Sequence, residues 1–276
     1  MTLRVTRPLA KAVVVFFALG ILLPGAGVAA PITLWDLNSS VTVDPNSDDG
    51  MFNWRIDGVD HMVQQWFWYR IGPAGPETPV NRLGDLSTKL SDADFDPNFE
   101  TLSLRYAGTD VQLDVIFTLN GSNPGNHRSD IAESITITNL TGSEMDFHFF
   151  QYCNLDLNGT AEDANAEITG GNTAVQRDET VWASETVITP RPSHVQVAFY
   201  DAILQSLKDA NATTLNDNAG PVGPGDLSWA FQWDFTIGAG ESVLISKDKA
   251  IVPEPATVAL IGVGAALLVI RRRKHK

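Results

Sequence analysis

Polar and apolar residues alternate along most of this chain. From Leu227 to Ile237, the apolar residues Leu227, Trp229, Phe231, Trp233, Phe235 and Ile237 are separated by Ser228, Ala230, Gln232, Asp234 and Thr236. Successive side chains of a strand point to opposite faces, so this period of two predicts a long strand with one buried face. Gly238-Ala239-Gly240 then turns the chain, and Ser242–Ser246 reads as a pairing strand. The same pattern predicts strands over Ile32–Leu37, Phe52–Ile56, Met62–Ile71, Leu102–Tyr106, Val111–Leu119 and Ile131–Asn139. It predicts others over Met145–Tyr152, Ala174–Arg177, Val181–Ile188 and Val195–Tyr200. Asn120-Gly121, Asn158-Gly159 and Gly170-Gly171-Asn172 supply the turn chemistry between several of them.

A period of 3.6 is visible once. Ile203, Leu204 and Leu207 share a face if Ala202–Ala210 is helical, with Asp201 as its N-cap. Residues 44–50, 72–79 and 216–226 are rich in Gly, Pro, Asn and Asp and read as loops. Ten or more strands and one short helix predict a single all-β domain over residues 31–251, a large antiparallel β-sandwich.

The two ends break this pattern. Arg4, Arg7 and Lys11 precede an uncharged apolar run, Ala12–Leu23, and small residues close it at Ala29 and Ala30. That order is a secretory signal peptide over residues 1–30, cut after Ala29 or Ala30. At the other end, Ala256–Ile270 is again uncharged and largely apolar. At about 1.5 Å per residue this helix would reach about 22 Å, short of a hydrocarbon core of about 30 Å. Arg271, Arg272, Arg273 and Lys274 follow, with Lys276, a basic cluster that stops transfer and keeps the C-terminus cytoplasmic. The body between is exported.

Val252-Pro253-Glu254-Pro255, a short transmembrane run and a terminal basic cluster together resemble the PEP-CTERM sorting signal, here residues 252–276. The resemblance implies an exosortase as partner, a membrane-embedded enzyme like a cysteine transpeptidase that processes the tail near Pro-Glu-Pro. It implies a temporary membrane anchor, then residence in the cell envelope, on the cell surface or in the extracellular matrix of a bacterium that makes extracellular polysaccharide. The stretches DHMVQQWFWYRIG, SDIAESITITN and AFQWDFTI are similar to parts of other exported PEP-CTERM proteins, a likeness that brings no activity with it. The strand–turn–strand segment from Ile135 to Tyr152 resembles the supersandwich of mutarotase-like domains.

Removing both ends sharpens the charge. The chain has 19 Lys+Arg and 33 Asp+Glu; the body keeps 11 of the former and 32 of the latter, a net charge of about −21. Phosphate binding needs a basic surface, so nucleic acid is excluded as a partner. Cys153 is the only cysteine, so no internal disulfide forms and Cys153 is expected as a small buried residue.

Three patterns carry candidate chemistry. Asp92, Asp94, Asp96, Asn98 and Glu100 place oxygen donors at every second position, as a calcium loop can. Pro97 and Ser103 stand where an EF-hand needs Gly and Glu, so the loop is not an EF-hand. Asn154, Asp156 and Asn158, before Gly159, form a weaker loop of the same kind. Gln64, Trp66, Trp68 and Arg70 share one face of a strand, which suits sugar stacking if exposed and packing if covered. His61, His127, His148 and His194 are scattered, and neither G-x-S-x-G nor H-E-x-x-H occurs. The expected function is an exported, exosortase-sorted protein of structural or interaction type, non-enzymatic, associated with exopolysaccharide or biofilm. The alternatives are a carbohydrate-binding or carbohydrate-active module using the Trp66/Trp68 face, and a calcium-stabilised adhesive domain.

Overall fold

The structure is a computed structural model that describes residues 30–92, 97–162 and 164–254. The expected signal peptide up to Ala29 and the expected transmembrane run with its basic cluster lie outside the described residues. Among the described residues no helix is long and apolar enough to cross a membrane.

The strands run in chain order as β1 (Ile32–Asp36), β2 (Ser39–Asp44), β3 (Gly50–Ile56), β4 (Val59–Asp60), β5 (Met62–Ile71) and β6 (Thr78–Pro79). Then come β7 (Asp85–Ser91), β8 (Thr101–Ala107), β9 (Val111–Asn120), β10 (Ser129–Asn139), β11 (Met145–Leu155) and β12 (Ala164–Thr169). The last are β13 (Thr173–Arg177), β14 (Val181–Thr189), β15 (His194–Phe199), β16 (Val222–Gly225), β17 (Leu227–Ile237) and β18 (Ser242–Pro253). One α-helix, α1 (Ala202–Lys208), precedes β16. The chain is the all-β antiparallel sandwich that its period-two pattern predicts.

Two nine-stranded sheets make it. The first has the order β1-β2-β3-β5-β11-β17-β15, with β4 beside β3 and β6 beside β5. The second has the order β16-β12-β13-β14-β18-β10-β9-β8-β7. All pairs are antiparallel except a short irregular contact between β3 and β5, where Gly50 and Met51 both meet Gln65. Between the sheets, Phe67 stacks on Phe149 of its own sheet and on Phe117 of the facing one. Trp229, Trp233, Ile135, Ile137 and Ile245 are also fully buried. Burying a side chain of this size contributes about 1.5–3 kcal/mol, and such residues dominate the core.

The alternation in β17 predicts one buried face, yet every residue from Leu227 to Trp233 is buried. The reason is a second apolar layer on the opposite face of the first sheet. There Trp66, Trp68, Phe150 and Tyr152 line up across β5 and β11, and the chain covers them itself. The helix α1 lies against β15 and β17 with Ile203 and Leu207 buried. The Leu215 N–H donates to Gln232 Oε1 at 2.8 Å. Gly50, at φ +62°, sits so close to Trp66 that a Cβ there would lie 2.3 Å from its ring. Asp201 holds the N-cap position of α1, as expected, but its side chain does not bond the backbone. It accepts instead from Gln205 Nε2 at 2.6 Å.

Candidate functional site

The sorting motif begins inside the sandwich. Val252 and Pro253 are the last residues of β18 and pair with Trp182 and Val181 of β14. On the other side, β10 ends with Ser129 opposite Ile251. Pro253 therefore falls where β18 has a single neighbour, the place in a sheet that tolerates a missing N–H. The Glu254 N–H donates to the Thr180 carbonyl at 2.8 Å. Pro255 and the basic cluster Arg271, Arg272, Arg273 and Lys274 lie outside the described residues. No linker separates folded body from motif.

Around this end the sandwich has two concavities. The smaller, about 360 Å³, is lined by Pro253, Val181, Thr180, Asn158, His61 and His127, with Ile56 and Val59. His61 is 4% exposed, and its Nδ1 accepts the Asn158 N–H at 3.1 Å. Burial pushes its pKa down to about 4, so it is a neutral acceptor rather than a cation at neutral pH. His127 pairs through Nδ1 with Asp57 at 3.1 Å. The larger cavity, about 580 Å³, is lined by Asp49, Asp60 and Asp156, by Asn53 and Gln64, and by Phe52, Met62 and Val63. Burial, and then the charges of Asp226 and Asp60, push the Asp156 pKa up. This is a space for a small polar ligand or a hydrated cation.

The sugar-stacking face is overturned. Trp66 and Trp68 are both 0% exposed. The Trp66 indole donates to Asn81 Oδ1 at 3.2 Å, and Trp68 meets Tyr152 edge to face. Arg70 pairs with the buried Glu77 and donates to the Thr213 carbonyl. The rings have no free face for a sugar because the segments around Gly50, Asn81 and Thr213 lie over them. Only Gln64 of the four reaches a cavity, and its amide donates to the Asp48 carbonyl at 2.6 Å.

In the Asp92–Glu100 calcium candidate, Asp94 and Asp96 lie outside the described residues, while Glu100 is buried. In the weaker loop, Asn158 is taken elsewhere: its amide donates to Asp178 Oδ2 at 2.6 Å and to Thr180 Oγ1 at 3.0 Å. Among the described residues no three His, Cys, Asp or Glu side chains gather as a metal-binding group. The scattered histidines are partly gathered: His148 bonds Asp234 at 2.6 Å, and His194 lies 3.6 Å from the same carboxylate and 2.9 Å from Asp217.

One cluster escapes the sequence reading. Glu133, Glu185, Lys247 and Lys249, on β10, β14 and β18, are at most 2% exposed. Lys247 donates to both carboxylates, and Lys249 Nζ lies 3.6 Å from Glu133 and 3.7 Å from Glu185. The Gln65 amide donates to Glu133, while the Gln151 amide and the Trp229 indole donate to Glu185. Burial alone would raise the Glu185 pKa, but Lys247 and Lys249 outweigh it and hold the carboxylate ionised. Cys153 faces the same cluster, and burial pushes its thiol up to about 12, so it is no nucleophile. Two cations and two anions balance in a sealed core that gives substrate no entry.

Residues 252–274 match the PEP-CTERM protein-sorting motif. No curated protein matches the chain. Among solved structures, the chain is similar to a bacterial glucoamylase complexed with acarbose, at 8% identity and TM-score 0.53 over 83% of this chain and 32% of that one. A polysaccharide lyase aligns at 10% identity and TM-score 0.43, over 79% of this chain and 32% of that one. The chain thus spans about a third of these proteins, and the glucoamylase likeness concerns the fold alone. The tail is the specific finding: the last strand runs into residues 252–274, which match a PEP-CTERM protein-sorting motif.

Proposed function

We propose that this protein is a non-enzymatic structural or interaction module of the cell envelope or extracellular matrix, held among exopolysaccharide after exosortase processing. The observation that carries this reading is the fusion of β18 with the sorting motif: the sandwich itself is the cargo, delivered without a spacer. Its sealed aromatic layers and its charge of about −21 favour a stable, soluble body that meets polysaccharide through polar groups and counter-ions. The test compares a wild-type host with one lacking its exosortase. Intact-mass analysis should find the wild-type protein cut near Pro253–Pro255 and recovered from the envelope or matrix. The exosortase-deficient host should retain Arg271–Arg273 in a membrane-bound form. A wild-type protein that keeps those arginines overturns the reading.

A second reading is favoured by the cavity beside Asp49, Asp60 and Asp156: a carbohydrate-binding or carbohydrate-active module that uses this space in place of the tryptophan face. Incubation with the host's own exopolysaccharide separates the two. Co-sedimentation without new reducing ends supports the first. Release of reducing ends, lost in Asp156→Asn, supports the second.

A further inference from the structure

Two open sheets have four edges, and three of them are closed to another strand. The edge of β1 is covered where the Trp35 N–H donates to the Phe99 carbonyl at 3.1 Å. The edge of β15 is covered by Asn218: the Val197 N–H donates to its carbonyl at 2.7 Å, and its amide donates to the Val197 carbonyl at 2.9 Å. The edge of β16 is Val-Gly-Pro-Gly, short and broken by proline. The fourth edge, β7, differs. It has 7 residues, Asp85–Ser91, without Gly or Pro, and pairs with β8 on one side only. Among the described residues, no backbone hydrogen bond reaches its other side. All its side chains are exposed except Leu86, which is half-buried. A row of unpaired N–H and C=O groups is a template for a further strand.

This edge is complementary to itself. Its register with β8 sets Leu86, Thr88 and Leu90 on the face of Tyr106, Leu104 and Leu102, and Ser87 and Lys89 on the face of Arg105 and Ser103. A second copy can run antiparallel beside it with the two-fold axis at Thr88. Leu86 then falls opposite Leu90 of the second copy, and Leu90 opposite Leu86. On the other face Asp85 lies diagonal to Lys89 of the second copy, about 7–8 Å away, within reach of a lysine. Among the described residues, neither Asp85 nor Lys89 has an ion-pair partner within its own chain. A lysine on an edge repels most intruding strands. The Asp85 of a second copy answers it, so the edge is guarded against other strands and open to its own kind.

We propose that β7 is a homotypic docking edge: two copies of this chain join by antiparallel β7–β7 pairing about Thr88, and two nine-stranded sheets run on as one. The contact is small, below the about 1,200 Å² of standard interfaces, so the association is weak and forms where copies are concentrated. β7 lies four strands from β18, about 19 Å, so the pairing leaves the sorting motif free. The inference stands apart from the matrix reading, because it uses no residue of the tail or of the cavities beside it.

The experiment cross-links Thr88→Cys in the full chain, in mild detergent with a mild oxidant. Salt of about 0.15 M keeps the Debye length near about 8 Å and screens the acidic bodies from each other. Directly opposed residues have Cα atoms about 4.5–5.5 Å apart, inside the disulfide range of about 4.4–6.8 Å. Cys153 is fully buried and does not compete. Linked dimer should form several-fold faster than in Glu144→Cys, on the exposed turn between β10 and β11. Adding Lys89→Asp should slow the Thr88→Cys link about three- to tenfold, because Asp85 then faces a like charge twice per dimer. Exchanging the pair, Asp85→Lys with Lys89→Asp, should restore the rate. These positions are exposed and make no contact that folding needs. Three outcomes overturn the proposal. One is linking at Thr88→Cys no faster than at Glu144→Cys. Another is faster linking at Ser87→Cys, which sets a different register. The last is a rate that Lys89→Asp leaves unchanged or that the exchange fails to restore.

Discussion

Lys247 and Lys249 stand in the apolar phase of their strand. Ile245, Lys247, Lys249 and Ile251 alternate inward, as do Ile131, Glu133 and Ile135, and Ala183, Glu185 and Val187. Charges of opposite sign in the inward phase of neighbouring strands are a legible signal of a buried ion cluster, although they also hide the strand that carries them. Removing one member leaves a buried charge unpaired. Glu185→Gln is therefore expected to cost about 3–5 kcal/mol in denaturant unfolding. Adding Lys249→Met should recover part of that loss, because the uncompensated ammonium goes with it. His61 makes a second prediction at this scale. Its folded pKa, about 4, lies below its ordinary value of 6.5. The unfolded chain therefore binds the extra proton first, and stability present above pH 6.5 is lost as pH falls towards 4. The loss should be of order 2–3 kcal/mol. In His61→Gln, which keeps an acceptor for Asn158, the slope of stability between pH 6.5 and 4 should flatten.

At the scale of elements, strands with large alternating side chains are readable to within a residue or two. β5 and β17 have the predicted bounds, whereas β18 runs past its predicted end at Ser246 to Pro253, because its inward lysines look like surface. Besides the two-residue β4 and β6, four strands show too weak a pattern. The two leucines of β7, Leu86 and Leu90, are four apart on an exposed edge. β12 turns Ala164 and Ala166 inward, which carry little strand signal. β16 is Val-Gly-Pro-Gly, loop-like by composition. β2 alternates only over Val41 and Val43 among short polar residues. The join of β3 to β5 depends on Gly50, whose positive φ and contact with Trp66 leave no room for a methyl group. Gly50→Ala should cost about 2–4 kcal/mol, read by chemical denaturation, with Gly58→Ala milder because no atom lies within 4 Å of its Cβ position.

For the molecule as a whole, the all-β class follows from patterning, and the sorting motif is legible in the last residues of the sequence. The face that a strand presents does not. Whether Trp66 and Trp68 meet solvent depends on where residues near Gly50, Asn81 and Thr213 come to rest, which no local pattern encodes. The fold likeness to a glucoamylase adds architecture without chemistry. The placement of β18 has a mechanical consequence. One residue, Pro255, separates Glu254 from the start of the apolar run at Ala256. Two steps of extended chain span at most about 7 Å. If the tail crosses the membrane as the sequence predicts, the sandwich would have almost no standoff until processing, with the His127 and Thr180 end near the headgroups. A fluorophore at position 127, in a His127→Cys/Cys153→Ser background, should be quenched by headgroup-borne quenchers only while the tail is attached. Inserting about ten Gly/Ser residues between Ile251 and Val252 should relieve that quenching, because a flexible leash of this length reaches about 15–20 Å. A body tethered that closely could not swing, and an exosortase would have to approach from the side and work against the end of a sheet.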